Sequence, residues 1–293
     1  MRHSAFTLAT ALGVAAIAVG SATLAASAKP LLGVYDPSGT FADSEAIAVE
    51  HVYTFWTDYS VQSLKDAEEY ARTRGRTLLV TMEPHGWDAT NEPTPEVLLE
   101  EILAGQHDAN IKALCGAIGD FETETTIRWG HAMDSKLERY PWSNWEPTEF
   151  VTAYRHVHDV CAAEAPDAKF MWGPSGRANM ENYYPGDDYV DLVGLSVFAL
   201  QQYNLDTRGE PGTLVEDLRS TYERALRYGK PIMVELAFEG DEAFEAAWIA
   251  AIRDAGAEFP EVEAFVYFDA IDPYTWPEPY GNPDWRVGLK LVE

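Results

Sequence analysis

Carboxylates stand at or just after the ends of several apolar, β-rich runs in this chain. They are Glu83, Asp134, Glu235, Asp269 and Asp272. In sugar chemistry one carboxyl group attacks the anomeric carbon while a second one donates a proton, and other carboxylates bond the hydroxyls. These residue types therefore predict glycosidic chemistry if the fold brings them together.

Aromatic residues accompany the carboxylates near the same run ends. They are Trp56, Trp87, Trp142, Trp172, Phe198, Tyr267 and Trp276. Aromatic faces stack on the apolar C–H faces of sugar rings, so the combination predicts a cleft for a glycan. Core packing is the alternative for any one of these rings, because folded proteins bury many aromatics.

Eight short apolar runs position these residues along the chain. They cover residues 31–35, 51–59, 77–84, 125–133, 169–176, 190–198, 231–238 and 264–270. Amphipathic stretches lie between them, for example at 61–75, 93–118, 146–165 and 242–256. Strands that alternate with helices predict a parallel sheet, and eight units predict a closed (β/α)8 TIM barrel with chemistry at the C-terminal strand ends. No Gly-rich dinucleotide fingerprint follows the first run.

The first 28 residues read as an export signal. Arg2 and His3 precede an apolar run from about 5 to 26, and Ala26 and Ala28 supply the small residues of a cleavage site. An uncleaved membrane anchor is the alternative, since the run is long enough to span a bilayer. Cleavage leaves residues 29–293 as one barrel domain, secreted or periplasmic, with no later segment of membrane-spanning length.

Composition limits the possible partners. The formal net charge of −27 repels nucleic acid and anionic lipid and favours neutral partners. The seven His residues are scattered and form no Cys/His cluster, so we expect no metal site. Cys115 and Cys161 either pair, as an oxidising compartment allows, or remain buried thiols.

Four motifs resemble glycoside hydrolase family 26, the β-mannanase and β-glucanase family. They are IRWGHAMDSKLERYPWS, YYPGDDYVDLVGLSVF, KPIMVELAF and VYFDA, and they lie in this order on different predicted strands. The start LLGVYDPS and the closing NPDWRV extend the resemblance over nearly all of residues 29–293. It implies a (β/α)8 barrel and a retaining double displacement without a cofactor, with a strand-four glutamate as acid/base. Glu235 in PIMVELAF matches the strand-seven nucleophile.

One residue departs from the family pattern at the reacting centre. The family reads His-Glu-Met on strand four, whereas this chain reads His131-Ala132-Met133. Alanine cannot donate a proton, and general acid help is typically worth about 10²- to 10⁴-fold.

Three accounts of Ala132 are open. Another acid substitutes: Asp134 shares the side of an extended strand with position 132, and Glu83, Asp269 or Glu138 are further candidates. Alternatively, the protein binds a glycan without cutting it. Finally, the alanine is an engineered change that traps a substrate.

The resemblance also implies a set of substrate-binding residues. They are His131, Trp142, Trp87, Glu83, Phe198, Tyr267 and Arg128. His131 orients the nucleophile or a hydroxyl, Trp142 resembles a subsite platform, and a loop with His85 and Trp87 faces distal sugars. Phe198 occupies a position where many members carry a Tyr bonded to the nucleophile, which is a second departure.

Two functions from different classes follow. One is an exported, retaining endo-β-glycanase for β-1,4-mannan or a related β-glucan, with a compromised or substituted acid. The other is a non-catalytic polysaccharide-binding barrel that handles an exopolysaccharide. In both cases we expect a monomer whose partner is a β-linked polysaccharide or oligosaccharide.

Overall fold

Eight parallel strands close into a barrel in a computed structural model that describes residues 29–57, 59–84, 93–137 and 139–293. The strands are β1 (Leu31–Tyr35), β2 (Val49–Phe55), β3 (Thr77–Glu83), β4 (Thr125–Trp129), β5 (Lys169–Trp172), β6 (Leu192–Leu200), β7 (Ile232–Glu239) and β8 (Val262–Phe268). Each strand pairs with the next along the chain, and β8 pairs with β1 to close the ring. The predicted (β/α)8 TIM barrel is confirmed.

Seven α-helices of the described residues cover this barrel. They are α1 (Val61–Thr73), α2 (Pro95–Leu103), α3 (Asp108–Gly119), α4 (Pro147–Ala162), α5 (Gln201–Arg208), α6 (Leu214–Ala225) and α7 (Glu242–Asp254). The stretch predicted as one helix over 93–118 is two, because Gly105 adopts a φ of 73° after α2 and turns the chain. In the described part of the chain, short 3₁₀ turns replace an α-helix between β5 and β6 and after β8.

The barrel interior changes from apolar to polar towards the C-terminal strand ends. An apolar layer contains Val49, Leu79 and Met233, which pack in one buried cluster. Two residues further along the same strands stand His51, Thr81 and Glu235, since alternate residues share a face. Apolar side chains therefore fill the barrel interior, and a polar layer lies next to them on the side of the C-terminal strand ends.

The two cysteines lie on adjacent helices. Cys115 on α3 and Cys161 on α4 form a disulfide with a Cα–Cα distance of 5.2 Å. Of the two alternatives in the sequence, the structure therefore forms the bond rather than two buried thiols.

The predicted export signal, residues 1–28, lies outside the described residues. Within the described ranges, none of the helices combines the length and apolar character needed to cross a membrane.

Candidate active site

A cleft of about 990 Å³ opens at the C-terminal ends of the strands. Among the described residues three carboxylates line it, namely Glu83, Glu235 and Asp272. Aromatic side chains form much of the remaining wall: Tyr35, Tyr53, Phe55, Tyr140, Phe198, Phe268, Tyr274 and Trp276. The cleft therefore combines acids with ring faces, as the residue types at the strand ends predict.

Glu235 lies at the floor of this cleft and is 4% exposed. Arg128 donates to both of its oxygens, from Nη1 to Oε2 at 2.8 Å and from Nη2 to Oε1 at 3.3 Å. The Tyr53 hydroxyl donates to Oε1 at 2.7 Å. Burial alone would raise the pKa of Glu235, but the charge and hydrogen bonds of Arg128 outweigh it and lower the pKa to about 2. The side chain is therefore an ionised carboxylate held at a fixed position.

Arg128 reaches Glu235 from β4 across the barrel interior. Its Nε donates to Thr81 Oγ1 at 2.8 Å, and Nη2 donates to the Tyr53 hydroxyl at 3.2 Å. It is 2% exposed and is not among the residues that line the cleft. The sequence assigned Arg128 to substrate binding, whereas the structure makes it a positioning residue for Glu235.

The sequence did not predict that His51 and Tyr53, two residues of this network, belong to the site. Both lie on β2, where His51 Nδ1 is 3.5 Å from Glu235 Oε1 and Nε2 bonds Thr81 Oγ1 at 2.8 Å. Burial and the nearby Arg128 charge lower the pKa of His51 to about 3, so it is neutral. The alternation of His51, Tyr53 and Phe55 along the strand is the signal that identifies one inward face.

Ala132 lines the cleft but no longer belongs to a strand. β4 ends at Trp129, Gly130 has a φ of 58°, and Ala132 itself has a φ of 56°. Its N–H donates to the Gly173 carbonyl at 2.7 Å, which fixes this left-handed turn beside β5. The Ala132 methyl group therefore lies at the cleft wall, and it cannot act as a general acid.

His131 precedes this alanine and also lines the cleft. Its Nε2 is 3.0 Å from the Tyr140 hydroxyl and 3.7 Å from Glu83 Oε1. Burial, followed by the charge of Arg128, lowers the pKa of His131 well below its ordinary value. A neutral imidazole can orient a substrate hydroxyl, but it does not replace the general acid that is missing at position 132.

Asp134, the residue that the sequence predicts as the catalytic partner of Glu235, points away from the cleft. Its Oδ1 accepts from the Ser175 N–H at 2.6 Å and its Oδ2 from the Arg177 N–H at 2.8 Å. It is 1% exposed and is absent from the cleft lining among the described residues. The prediction assumed an extended strand, whereas the turn at Ala132 breaks the alternation, so Asp134 anchors the loop after β5.

The other candidate acids differ in position. Asp269 accepts from the backbone N–H groups of Val287 and Gly288 at 3.0 and 3.3 Å and is 1% exposed. Glu138 lies outside the described residues. Glu83 ends β3, lines the cleft and helps to raise the pKa of Tyr140, after burial, by its charge.

Several predicted sugar-stacking rings belong to the core instead. Trp56, Trp142, Trp172 and Tyr267 are completely buried. Trp142 donates its indole N–H to the His131 carbonyl at 2.7 Å, and the Tyr267 hydroxyl donates to the Trp285 carbonyl at 2.7 Å. The assignment of Trp142 and Tyr267 to substrate binding is therefore corrected, because close packing leaves neither ring a face for a sugar.

Phe198 and Trp276 do line the cleft, as predicted. Trp276 comes from the segment after β8, where Asp272 accepts from its indole N–H at 3.0 Å and from the Tyr274 N–H at 2.9 Å. His85 and Trp87, predicted to face distal sugars, lie outside the described residues. Across the described ranges, no group of three His, Cys, Asp or Glu side chains is arranged to hold a metal ion.

Curated relatives match only part of the chain. No family model matches it. A β-1,3-xylanase from a Vibrio species is 29% identical over 119 residues, which are 38% of this chain and 25% of that protein. A β-1,3-xylanase from an Alcaligenes species is 27% identical over 119 residues, 38% of this chain and 24% of that protein. The matched segment thus spans about a quarter of each xylanase.

Solved structures match most of the chain. A modular endo-β-1,4-mannanase of glycoside hydrolase family 26 from Cellulomonas fimi has a TM-score of 0.66 at 16% identity, over 83% of this chain and 65% of that one. A family 26 β-mannanase from Bacteroides ovatus has a TM-score of 0.61 at 14% identity, over 90% of this chain and 86% of that one. A β-mannanase from a termite symbiotic protist, solved with a gluco-manno-oligosaccharide, has a TM-score of 0.58 at 13% identity, over 88% and 83%. The resemblance seen in the motifs is therefore shown in the tertiary structure: this chain has the fold of the family 26 β-mannanases.

Proposed function

We propose that this protein is a retaining endo-β-glycanase that acts on β-1,4-mannan or a related β-glucan with a weakened general acid. The observation that carries the proposal is the ionised Glu235 carboxylate, held by Arg128 and Tyr53 at the floor of a cleft lined with aromatic rings. Burial of a carboxylate costs free energy, so a buried carboxylate usually has a function. The alternative is an ion pair that only stabilises the fold, but such a pair does not require an open cleft beside it. The β-mannanase structures with this fold support the substrate class.

The first chemical step uses Glu235 as nucleophile. One of its oxygens attacks the anomeric carbon, the bond to the leaving-group oxygen breaks, and a glycosyl ester forms on Glu235. Arg128 and Tyr53 hold the carboxylate during the attack. They also stabilise its charge when water attacks the same carbon in the second step and Glu235 is released.

The leaving-group oxygen must gain a proton in the first step, and the attacking water must lose one in the second. Ala132 can do neither. Glu83 is the cleft carboxyl that we propose as a substitute, because it ends β3 at the cleft wall and its Oε1 is 3.7 Å from Nε2 of His131, the residue before Ala132. It stands at the end of β3 rather than on the turn after β4, so we expect weak proton transfer.

A second candidate function is binding of a β-linked polysaccharide without cleavage. Ala132 favours it, because glycosidic bonds between sugars have poor leaving groups that depend on acid help. For either function we propose export from the cytoplasm, supported by the apolar N-terminal run and by the disulfide, a bond typical of oxidising compartments.

The test measures two kinds of turnover by the purified protein, with Ala132→Glu and Glu235→Ala beside it. The first is reducing-end release from mannan, glucomannan, mixed-linkage glucan, β-1,3-xylan and β-1,4-xylan. The second is hydrolysis of aryl β-glycosides with an activated leaving group, which needs little acid help. Alanine and glutamate both carry a Cβ, so the free-energy cost of the left-handed backbone conformation at position 132 is about the same for both residues. Ala132→Glu should therefore fold like the native protein.

The proposal expects turnover of an activated glycoside that disappears in Glu235→Ala, and polysaccharide cleavage that rises by about 10²-fold or more in Ala132→Glu. Azide should accelerate turnover of the activated glycoside by the native protein, because an anionic nucleophile attacks the glycosyl ester on Glu235 without help from a general base. Glycan binding with no turnover by the native protein or by Ala132→Glu would establish the binding function instead.

A further inference from the structure

Arg139 is a cation that lines the cleft in a strongly acidic protein. No carboxylate of the described residues lies within 4.0 Å of its guanidinium, and its Nε is buried without a hydrogen-bond partner there. Arg128, by contrast, is fully engaged by Glu235. With 48 Asp and Glu against 21 Lys and Arg in the chain, an arginine that faces the cavity and has no carboxylate partner among the described residues requires an explanation.

Two aromatic rings fix the position of this arginine. Its guanidinium carbon lies 5.0 Å from the Tyr140 ring centroid and 4.3 Å from that of Tyr274. Tyr140 follows β4 and Tyr274 follows β8, so the guanidinium bridges two walls of the cleft. Cation–π contacts of this kind hold the plane of the group without using its N–H donors. Since no described residue accepts a hydrogen bond from the Arg139 guanidinium, these donors can serve a ligand.

The charge of Arg139 acts close to the reacting centre. Burial is the largest cause of the lowered pKa of His131 and of the raised pKa of Tyr140; the charge of Arg139 adds to the first shift and opposes the second. The Tyr140 ring that contacts Arg139 carries the hydroxyl that lies 3.0 Å from His131 Nε2, so Arg139 belongs to the same wall of the cleft as His131 and Ala132.

None of the cleft carboxylates among the described residues lies within 4.0 Å of the Arg139 guanidinium, and this includes Glu83, whose Oε1 is 3.7 Å from His131 Nε2. Glu235 is paired with Arg128, and Asp272 accepts three N–H groups, from Tyr274, Trp276 and Trp285. The acidic surface repels a polyanion at long range, but salt screens that repulsion beyond about 8 Å at physiological ionic strength. A carboxylate on a bound sugar would meet the guanidinium at contact distance, where screening is weak.

We propose that the cleft binds a β-linked glycan in which at least one sugar carries a carboxylate, and that Arg139 binds this carboxylate. The planar guanidinium presents paired N–H donors that match a carboxylate in a bidentate contact. The inference rests on the proposed glycan-binding function and deepens it: the β-linked mannan-type or glucan-type backbone contains sugars oxidised to uronates.

The test compares oligosaccharides that differ only in the carboxylate. β-1,4-linked mannuronate hexamer is paired with mannohexaose, and β-1,4-linked glucuronate hexamer with cellohexaose, in titration calorimetry at 0.15 M salt. The native protein is compared with Arg139→Met, which keeps an unbranched side chain between the two tyrosines, and with Arg139→Lys. Arg253→Met on α7 is the matched control, because it removes the same charge from an exposed site outside the cleft. Mass spectrometry of the products records any cleavage during the titration.

The expected result is that one uronate hexamer binds the native protein at least tenfold more tightly than its neutral partner. Arg139→Met should abolish this preference, as a charge-assisted hydrogen bond is worth about tenfold or more, while Arg139→Lys keeps part of it and Arg253→Met keeps all of it. Equal or tighter binding of both neutral hexamers by the native protein would overturn the inference. So would an equal loss of acidic and neutral ligands in Arg139→Met, which is what a merely structural arginine predicts. Failure of the proposed glycanase activity is a separate outcome, since it appears as absent turnover with the binding preference intact.

Discussion

At the residue scale, Glu235 depends on donors from two other strands. Arg128 comes from β4 and Tyr53 from β2, and both contacts are shorter than 3.0 Å. Phe198, where the family resemblance implies a tyrosine, offers no hydroxyl. Tyr53 therefore supplies from β2 the phenol that is missing on β6.

Replacement of Tyr53 by Phe should weaken the stabilisation of the ionised Glu235. The lost donor raises the pKa of Glu235 from about 2, so the acid limb of the kcat/KM profile on an activated aryl glycoside should move to higher pH. We expect turnover to fall about tenfold, as for the loss of one hydrogen bond to a charged group. Tyr35→Phe is the control, since that ring also lines the cleft but its hydroxyl makes no hydrogen bond to Glu235. An acid limb that stays in place in Tyr53→Phe would contradict this role.

The Asp134→Asn variant tests whether Asp134 anchors a loop or donates a proton to the substrate. Two backbone N–H groups bond its carboxylate, so loss of the charge should lower the free energy of unfolding by about 1 to 3 kcal/mol in urea titrations. Turnover of polysaccharide and of activated glycoside should change by the same small factor. A selective loss of polysaccharide cleavage would instead identify Asp134 as the acid. Asp188→Asn, an exposed residue before β6, controls for the removal of a charge.

At the element scale, the disulfide ties α3 to α4 on either side of β4. The chain between Cys115 and Cys161 includes the turn at Ala132 and the cleft residues His131, Arg139 and Tyr140. The bond therefore closes the segment that forms one wall of the site.

The double replacement of Cys115 and Cys161 by Ser should destabilise the protein without changing its chemistry. A loop of 46 residues predicts about 3 to 4 kcal/mol from chain entropy, which lowers the melting temperature by on the order of 10 °C. Differential scanning calorimetry of the variant and of the reduced native protein measures this loss. Kinetics at 25 °C should stay within about twofold, because neither sulfur lies in the cleft. An unchanged melting temperature would show that packing of the helices already supplies this constraint.

At the scale of the whole molecule, the net charge of −27 is the dominant electrostatic feature. The chain has 48 Asp and Glu against 21 Lys and Arg, so fewer than half of the acidic side chains can each have a basic side chain of their own. Self-repulsion of this kind opposes the compact state.

Added salt should therefore stabilise the folded chain. Raising sodium chloride from 0.05 to 1 M shortens the Debye length from more than 10 Å to about 3 Å, so we expect the melting temperature to rise by several degrees. An isosmotic sucrose series is the control for general solvent effects. A melting temperature that falls with salt would mean that attractive ion pairs, rather than repulsion, dominate the surface.

The barrel could be predicted from the sequence, because eight β-rich runs with intervening amphipathic stretches are compatible with few other closed folds. The sequence also placed Glu235, Glu83, Phe198 and Trp276 at strand ends, where the structure has them in the cleft. Strand periodicity is a local property of the chain, so it survives folding unchanged.

Tertiary structure alone decided which of the neighbouring residues face the cavity. The left-handed turn at Ala132 sends Asp134 behind the wall, and packing buries the rings of Trp142 and Tyr267. It also brings Tyr53 and Arg128, 182 and 107 residues from Glu235, into contact with it. These outcomes depend on barrel closure and on single backbone angles, which a pattern of residue types does not encode.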